Sequence, residues 1–317
     1  MTVAITGASG LIGSALSSAL RGRGDQVLHL VRRAPRTAAE LEPGVREAHW
    51  TPGADLPPDV LDGVSGIVHL AGAGIADQRW SDKRKRELLD SRLEGTGTIA
   101  RALAAMAAAQ PAPVTDAPGP TASMPRLVSA SAVGIYGDRG DAILTEASDP
   151  GEGFLVDVCR DWEAATWPAS HAGVPVATVR TGIVLTPQGG ALGKLLPLAK
   201  AGLAGPLGSG DQYWSWITLH DHVRALLFLL DHPEVTGPVN LTGPHPDTQT
   251  AIVKALAQAL RRPAILPAPT IALRLALGEM ATEILASARA LPTVLTDAGF
   301  TFDHPDLPTA MAWITDS

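Results

Sequence analysis

Three glycines, Gly7, Gly10 and Gly13, follow directly on the apolar run Val3-Ala4-Ile5. The sequence from Leu11 onward is typical of a helix, so the glycines occupy a strand-to-helix turn. In such a turn the first glycine permits a tight bend, the second lets the backbone approach a phosphate, and the third lets the helix pack on the strand. The helix N-terminus then attracts the anion. We predict a dinucleotide pyrophosphate site formed by Gly7, Ser9, Gly10, Leu11, Ile12 and Gly13; a glycine-rich turn that binds nothing is the alternative.

Two arginines indicate which dinucleotide this turn holds. The second predicted strand, residues 26–31, runs into Arg32 and Arg33, and the next acidic residue is Glu40. NAD sites of this kind place an Asp or Glu at the end of that strand, on the ribose 2′-hydroxyl. Two guanidinium groups instead favour a 2′-phosphate. The sequence therefore predicts NADP(H); surface arginines without a ligand are the alternative.

Strand-like and helical segments alternate through the first 185 residues, which is typical of a parallel sheet with helices on both faces. Segments such as 67–70 and 28–31 are almost continuously apolar, as buried parallel strands are. The prediction is an α/β fold with a doubly wound parallel sheet. We predict strands at 3–6, 26–31, 47–50, 66–70, 126–129 and 176–180, and helices at 11–22, 82–109 (broken near Gly95 and Gly97), 154–167, 221–230 and 251–261.

The chain divides into two predicted domains. Residues 1–185 form the dinucleotide-binding core, and an apolar piece at 238–241 returns to its sheet. Residues 186–317 form a smaller subdomain on the substrate side, which includes the proline-punctuated tail 262–317. Residues 110–125 contain five prolines and are predicted to be a surface insertion. Asp221 is predicted to be the N-cap of the helix that follows it.

Composition excludes several classes of function. The formal net charge of −7 and the pI near 5.7 give no overall electrostatic attraction to nucleic acid or anionic lipid. The single cysteine, Cys159, excludes an internal disulfide, and no Cys and His pair has zinc-ligand spacing, so no metal site is predicted. No apolar run reaches the roughly 18 residues of a membrane span, and the N-terminus lacks a signal peptide. We predict a cytoplasmic protein that binds neither nucleic acid nor membrane.

Several motifs together resemble the extended and atypical short-chain dehydrogenases/reductases. They include residues 6–13, the strand end Val68-His69-Leu70-Ala71-Gly72 and the segment 129–138. More narrowly, the chain is similar to the "epimerase family" proteins that carry a small C-terminal domain of unknown function. The narrow resemblance rests on residues 75–80, 90–92, 137–141, 154–155, 158–163, 180–182, 208–210, 214–217, 278–281 and 298–300.

This resemblance implies a Rossmann-like core that binds NADP(H), with Leu70, Ala71 and Gly72 also on the cofactor. It further implies a homodimer, in which the two central helices of each copy pair. The substrate of the narrow family is not established. The short-chain mechanism uses a Tyr whose pKa is lowered by a Lys four residues later, and a Ser that orients the carbonyl. Tyr136 is followed four residues later by Gly140, and Tyr213 by Ile217. The chain therefore lacks the Tyr and Lys pair.

The candidate catalytic residues are therefore Ser131, Tyr136 and Arg160. Ser131 matches the orienting serine if one residue is inserted before Tyr136, and Ser129 is the alternative. Arg160 could hold the cofactor ribose or a substrate oxygen but is a poor proton donor. Backbone-satisfied serines and a buried tyrosine are the structural alternatives. Cys159 is more typical of a small buried residue than of a nucleophile.

Aromatic and basic side chains suggest the substrate. Arg79 and Trp80 follow the fourth strand at the edge where open α/β sheets bind ligands, and a capping loop is the alternative for both. Trp214 and Trp216 replace the charged phosphate-gripping motif of sugar-nucleotide epimerases, which favours an apolar or planar substrate. Core packing is the alternative for both tryptophans. We predict an NADP(H)-dependent oxidoreductase. The predicted substrate contacts are Arg79, Trp80, Ser131, Trp214 and Trp216. The alternatives are a catalytically silent NADP(H)-binding sensor and, less favoured, a nucleotide-sugar epimerase.

Overall fold

A computed structural model describes residues 1–109 and 124–316 of the chain. The insertion predicted at 110–125 falls almost wholly outside the described residues. The strands are β1 (Thr2–Thr6), β2 (Gln26–Val31), β3 (Val45–His49), β4 (Gly66–His69), β5 (Arg126–Ala132), β6 (Ile143–Leu144), β7 (Val176–Thr181), β8 (Ile183–Leu185), β9 (Tyr213–Trp214), β10 (Trp216–Thr218), β11 (Gly237–Leu241), β12 (Asp247–Thr248) and β13 (Arg289–Ala290).

Helices connect these strands. They are α1 (Leu11–Gly22), α2 (Asp82–Ala109), α3 (Phe154–Ala164), α4 (Trp167–His171), α5 (Gly190–Lys200), α6 (Leu219–Asp231), α7 (Gln249–Ala259), α8 (Thr270–Leu277), α9 (Met280–Leu285), α10 (Thr293–Asp297) and α11 (Leu307–Asp316). No helix in the described ranges is long and apolar enough to cross a membrane.

The main sheet is parallel throughout and has seven strands within the described residues. Its order is β11-β7-β5-β4-β1-β2-β3. The chain moves outward from β1 to β3 and then returns to place β4 on the other side of β1. Such a reversal opens a crevice at the carboxyl ends of β1 and β4, where doubly wound folds bind ligands. The predicted fold class is confirmed.

Two apolar layers cover the sheet. On one face α1 and α6 pack against side chains such as Val3, Ile5 and Val179. On the other face α2 and its neighbours cover side chains such as Ala4 and Ile67. Successive side chains of each strand point to opposite faces of the sheet, and both faces are covered by helices. The strands are therefore almost continuously apolar.

β11 lies at one end of the sheet, where β7 is its one partner among the described strands. Pro238 has no N–H to offer on this strand, and the N–H of Asn240 donates to Glu146 Oε1 at 3.0 Å. The remaining C-terminal elements form their own core, in which Trp216 and Leu256 are buried between α5, α7 and α11. β13 pairs with β6, so the tail is joined to the loop after β5.

Two local predictions are wrong. α2 is unbroken at Gly95 and Gly97; Gly95 instead gives room to His69, because an added Cβ would lie 3.1 Å from its Cε1 atom. α6 begins at Leu219 rather than at Asp221, and its N-cap is Thr218, whose hydroxyl accepts the N–H of Asp221 at 3.1 Å. The Asp221 carboxylate reaches instead to the tail, where it accepts the N–H of His304 at 2.8 Å.

Candidate dinucleotide and substrate site

The turn between β1 and α1 leaves little room for side chains. Gly7 has a φ of +70°, which favours glycine, and an added Cβ would lie 3.0 Å from the backbone nitrogen of Ala71. An added Cβ at Gly13 would collide with the carbonyl oxygen of Gly7. At Gly10 it would meet one described atom within 4 Å, that same oxygen, at 3.3 Å. Protein packing thus demands glycine at Gly7 and Gly13, whereas Gly10 leaves the outer side of the turn open.

The N-terminus of α1 is an anion-binding feature. Gly10 is extended, with φ −78° and ψ 171°, and no described side chain caps the helix. The N–H of Ser14 donates to the Gly10 carbonyl at 2.9 Å. The amides of Leu11, Ile12 and Gly13 come before this first helical bond and have no carbonyl partner within the helix. Together with the helix dipole they fit a phosphate group.

The end of β4 closes the other side of the turn. Thr6 Oγ1 accepts the N–H groups of Leu70 at 3.1 Å and Ala71 at 3.2 Å, and lies 2.8 Å from His69 Nδ1. The Thr6 hydroxyl and the His69 ring therefore share a hydrogen bond at the end of β4. Burial lowers the pKa of His69 to about 4, so the ring is neutral. The backbone of Leu70 and Ala71 is thereby fixed beside Gly7.

The loop that follows is held by α2. Arg92 donates to the Ala73 carbonyl at 3.1 Å, and its guanidinium lies 4.8 Å from the ring centroid of Trp162. Ser91 Oγ accepts the Ala73 N–H at 3.1 Å. Gly72 is exposed, and an added Cβ there would lie 3.6 Å from the Arg92 side chain. Leu70, Ala71 and Gly72 therefore lie together at the C-terminal edge of the sheet.

The two arginines after β2 have different surroundings. Arg33 binds Glu47 of β3 through both carboxylate oxygens, at 2.6 and 2.8 Å, and Arg36 binds the same carboxylate at 2.8 Å. The Arg33 guanidinium lowers the pKa of Glu47 to about 2. Arg32 is exposed and forms no ion pair with any described residue. The structure thus ties Arg33 to β3 and leaves Arg32 available at the end of β2.

Ser131 belongs to a buried polar network. Its hydroxyl donates to Glu163 Oε1 at 2.7 Å. Arg180 of β7 binds both oxygens of Glu163, at 2.9 Å from Nε and 3.0 Å from Nη2. The Ser131 hydrogen is therefore directed into the protein. Ser129, the alternative, is fully buried, and its Oγ has no hydrogen-bond partner within the described ranges.

Tyr136 is fully buried and belongs to the same network. Its hydroxyl accepts from Arg180 Nη1 at 3.1 Å and donates to Asn240 Oδ1 at 2.8 Å. Asn240 Nδ2 donates in turn to the Leu291 carbonyl at 2.8 Å. Burial raises the pKa of Tyr136, so its hydroxyl stays protonated near neutral pH. Tyr136 thus ties β5 to β7, β11 and the tail.

The remaining candidates on α3 point in opposite directions. Arg160 is exposed and pairs with Asp157 at 3.1 Å, one turn earlier. Cys159 is a buried free thiol. Burial raises the pKa of Cys159 to about 12, so the thiol is protonated and weakly nucleophilic.

Arg79 and Trp80 lie where the core meets the tail. The Trp80 ring packs edge-on against Phe154 at the start of α3, with 5.2 Å between ring centroids. Arg79 lies against Gly278, where an added Cβ would be 2.8 Å from Arg79 Nε. We call this meeting of Arg79, Trp80, Phe154 and Gly278 the 79–278 junction. An ion pair between Lys85 and Glu279 joins the same two parts of the chain.

Trp214 and Trp216 lie in the C-terminal core. Trp214 is 8% exposed and donates from Nε1 to the Ile284 carbonyl at 3.2 Å. Trp216 is fully buried and donates to Asp247 Oδ2 at 3.1 Å. Both indoles therefore pack and form hydrogen bonds within the C-terminal core.

One cluster has the composition of a metal site. His220, Asp221 and Asp303 bring their ligand atoms within 4.8 Å of one another. The Asp221 carboxylate, however, already accepts a bond from Arg224 at 2.8 Å and the backbone N–H of Asp303 at 3.0 Å. The cluster is an ion-pair network that anchors the tail to α6.

Comparison with known proteins identifies the family of the chain. Residues 3–261 match the model of the NAD dependent epimerase/dehydratase family, and residues 268–314 match a domain of unknown function, DUF1731. The chain is 43% identical to Epimerase family protein Mb2239 of Mycobacterium bovis, over 99% of this chain and 97% of that protein. It is 34% identical to the chloroplastic epimerase family protein SDR39U1 homolog of Arabidopsis thaliana, over 96% and 84%.

Solved structures give the same result. The fold is similar to that of the human epimerase family protein SDR39U1, crystallised with NADPH, with a TM-score of 0.83, 28% identity and full coverage of both chains. It is also similar to the nucleoside-diphosphate sugar epimerase from Corynebacterium glutamicum, with a TM-score of 0.74 and 35% identity over 99% of this chain and 58% of that one. The chain therefore belongs to the NAD dependent epimerase/dehydratase family and carries a C-terminal DUF1731 domain.

Proposed function

We propose that this protein binds NADP(H) at the turn between β1 and α1 and reduces a small carbonyl compound. The main support for this proposal is the turn between β1 and α1. There Gly7 and Gly13 bring strand and helix together, and Gly10 leaves the first amides of α1 accessible to a phosphate. The NADPH in the SDR39U1 structure supports the choice of cofactor. Since Cys159 is a free thiol, a reducing cytoplasm suits the protein.

The 2′-phosphate is assigned chiefly to Arg32. Arg33 is committed to Glu47 through two hydrogen bonds, whereas Arg32 has no described ionic partner. A charge-assisted bond from a guanidinium to phosphate contributes roughly 1.5–3 kcal/mol. NADPH should therefore bind at least about tenfold more tightly than NADH.

Bound NADPH supplies the hydride for carbonyl reduction. The substrate would lie at the C-terminal edge of the sheet, next to the 79–278 junction, where Arg79 can stabilise negative charge that develops on the carbonyl oxygen. Ser131 and Tyr136 direct their hydrogens to Glu163 and Asn240. The proton on the product oxygen therefore comes from water, and activated carbonyls such as quinones or α-diketones are the expected substrates.

The same hydrogen bonds favour a second candidate function, a catalytically silent NADP(H)-binding sensor. Neither predicted hydroxyl donor is presented to a ligand, and Arg160 is an exposed partner of Asp157. A nucleotide-sugar epimerase is less well supported, because Trp214 and Trp216 are core residues where such enzymes carry a phosphate-gripping motif.

Two measurements separate these functions. Fluorescence titration with NADPH and NADH tests cofactor binding, and equal affinities would contradict the Arg32 assignment. A panel of quinones, diketones and aldehydes, followed by NADPH absorbance, tests turnover. NADPH binding without oxidation above the no-enzyme rate would favour the sensor, and tight binding of UDP-glucose would favour the epimerase.

A further inference from the structure

Exposed apolar side chains are concentrated on one part of the surface. Nine large apolar residues are exposed in the described ranges, and six of them lie within 198–203 and 265–275. These six define what we call the apolar face: Leu198, Leu203, Ile265, Leu266, Ile271 and Leu275. Single exposed apolar residues are normal, but a contiguous patch indicates an interaction site.

The two segments of the apolar face are neighbours in space. The Leu203 N–H donates to the Leu198 carbonyl at 2.8 Å, and the Leu266 N–H donates to the Ala204 carbonyl at 3.3 Å. Residue 207 then forms a parallel bridge with residue 268, just before α8 begins. α8 has no fully buried residue, so it lies on the surface of the protein. Backbone contacts therefore bring the two segments of the apolar face side by side, from the end of α5 to the start of α8.

The apolar face has a positive border in an acidic protein. Segments 190–208 and 251–278 contain no Asp or Glu, although the whole chain has a net charge of −7. Lys200, Arg261, Arg262 and Arg274 are exposed there, and none forms an ion pair with a described residue. Aliphatic side chains bordered by unpaired cations are typical of proteins that bind anionic lipid surfaces.

We propose, against the prediction drawn from the overall composition, that the apolar face docks on an anionic lipid bilayer. Ile271 and Leu275 are 74% and 73% exposed and four residues apart on α8, so they protrude together and can enter the acyl region. Protruding side chains do not form the groove that a peptide or partner helix requires. A second copy on this face would bring two sets of unpaired cations together, which opposes self-association.

Vesicle co-sedimentation of the full chain tests this proposal. We expect binding to phosphatidylcholine vesicles that contain phosphatidylglycerol, weaker binding in high salt, and little binding to phosphatidylcholine alone. Replacing Arg262 and Arg274 by Gln should weaken binding roughly 25-fold, since each cation near an anionic surface changes affinity about fivefold. The double substitution Ile271→Ser and Leu275→Ser should weaken it at least about tenfold.

Matched control variants carry the same kinds of substitution, to Ser and to Gln, at exposed positions outside the apolar face. Ile143→Ser with Trp167→Ser removes two exposed apolar side chains elsewhere, and Lys83→Gln with Arg86→Gln removes two exposed cations of α2. These controls should bind like the unaltered protein, and all variants should keep its thermal midpoint and NADPH affinity. Absence of binding to the anionic vesicles would overturn the proposal. So would dimerisation in sedimentation equilibrium that the Ile271 and Leu275 substitutions abolish.

Discussion

The Ser131 hydroxyl donates to the same Glu163 oxygen that receives the Nε–H of Arg180. Ser131 is 3% exposed and Arg180 is 6% exposed, so this is a buried ion pair with a serine attached. Ser131, which the sequence predicts to orient a substrate carbonyl, thus stabilises the contact between β5, α3 and β7.

Substitutions in this network should affect stability unequally. Glu163→Ala leaves the Arg180 guanidinium buried without its carboxylate and should lower the free energy of unfolding by about 3–5 kcal/mol. Ser131→Ala removes one hydrogen bond and should cost about 1 kcal/mol, with little change in turnover. Urea denaturation measures both, and Ser170→Ala, an exposed hydroxyl on α4, is the control. A fall in turnover of about 100-fold in Ser131→Ala at unchanged stability would restore the catalytic assignment.

Cofactor preference should depend on Arg32 more than on Arg33. Arg32→Ala should reduce NADPH affinity about tenfold or more and leave NADH affinity almost unchanged, because NADH lacks the 2′-phosphate. Arg33→Ala should have a smaller effect, since Arg33 is held by Glu47. Isothermal titration with both cofactors measures the two ratios. A larger loss in Arg33→Ala would show that Arg33 leaves Glu47 to bind the phosphate.

Gly10→Val should abolish binding of either cofactor while the protein stays folded. A branched side chain at Gly10 would occupy the outer side of the turn, where the pyrophosphate is proposed to lie. Gly22→Ala, at the other end of α1, is the matched control, because no described atom lies within 4 Å of an added Cβ. Cofactor titration with far-ultraviolet circular dichroism checks both variants. Retained NADPH binding in Gly10→Val would place the cofactor elsewhere.

The 79–278 junction can be tested with a pair of glycines. Gly278 and Gly299 both have positive φ, 65° and 88°, so alanine introduces similar backbone strain at each. Only at Gly278 does the new Cβ meet Arg79; none of the described atoms lies within 4 Å at Gly299. Gly278→Ala should therefore raise the KM for a reducible carbonyl severalfold without changing NADPH affinity. Equal kinetics in Gly278→Ala and Gly299→Ala would remove the junction from the substrate site.

Stability should fall as pH decreases below about 6.5. Burial lowers the pKa of His69 to about 4 and that of His222 to about 3, so both rings stay neutral in the fold while the unfolded chain binds protons. Stability therefore rises with pH between about 4 and 6.5. Each histidine contributes about 1.4 kcal/mol per pH unit below its unfolded pKa. His29 and His304, whose pKa values are also lowered, add smaller effects of the same sign.

Urea denaturation at pH 7, 6 and 5 measures this dependence. Glu47 does not contribute in that range, because its pKa of about 2 and its unfolded value both lie below pH 5. His222→Gln keeps a partner for Thr181, to which His222 Nε2 lies at 3.1 Å, and should reduce the slope by about one histidine. Identical unfolding free energies at pH 7 and pH 5 would contradict the prediction.

The sequence predicted the sheet well because its signals are local. Apolar runs, the spacing of Gly7, Gly10 and Gly13, and alternation with helices are all read within about ten residues. The predicted breaks of α2 near Gly95 and Gly97 are wrong because glycine in a helix can also make room for a neighbouring side chain. Gly95 makes room for His69 in this way. Local propensity cannot distinguish these uses.

The polar site was harder to predict because its partners are distant in sequence. Glu163 binds Ser131 across 32 residues, Arg180 binds Glu163 across 17 residues, and Asn240 binds Tyr136 across 104 residues. The family resemblance includes residues 158–163 and 180–182. The sequence pattern does not show, however, that Glu163 and Arg180 form an ion pair. The apolar face was hidden for the same reason, since its two segments are separated by α6 and α7 in the sequence.

The late position of β11 in the chain has a consequence for biosynthesis. β7 is complete at Thr181, but the strand that covers its free edge ends only at Leu241. While the intervening residues are translated, the nascent sheet exposes an unpaired parallel edge, and Tyr136 lacks its Asn240 acceptor. An open edge of this kind can pair with another nascent chain. Ribosome pausing between these two strands should therefore favour aggregation, whereas a pause after Leu241 should not.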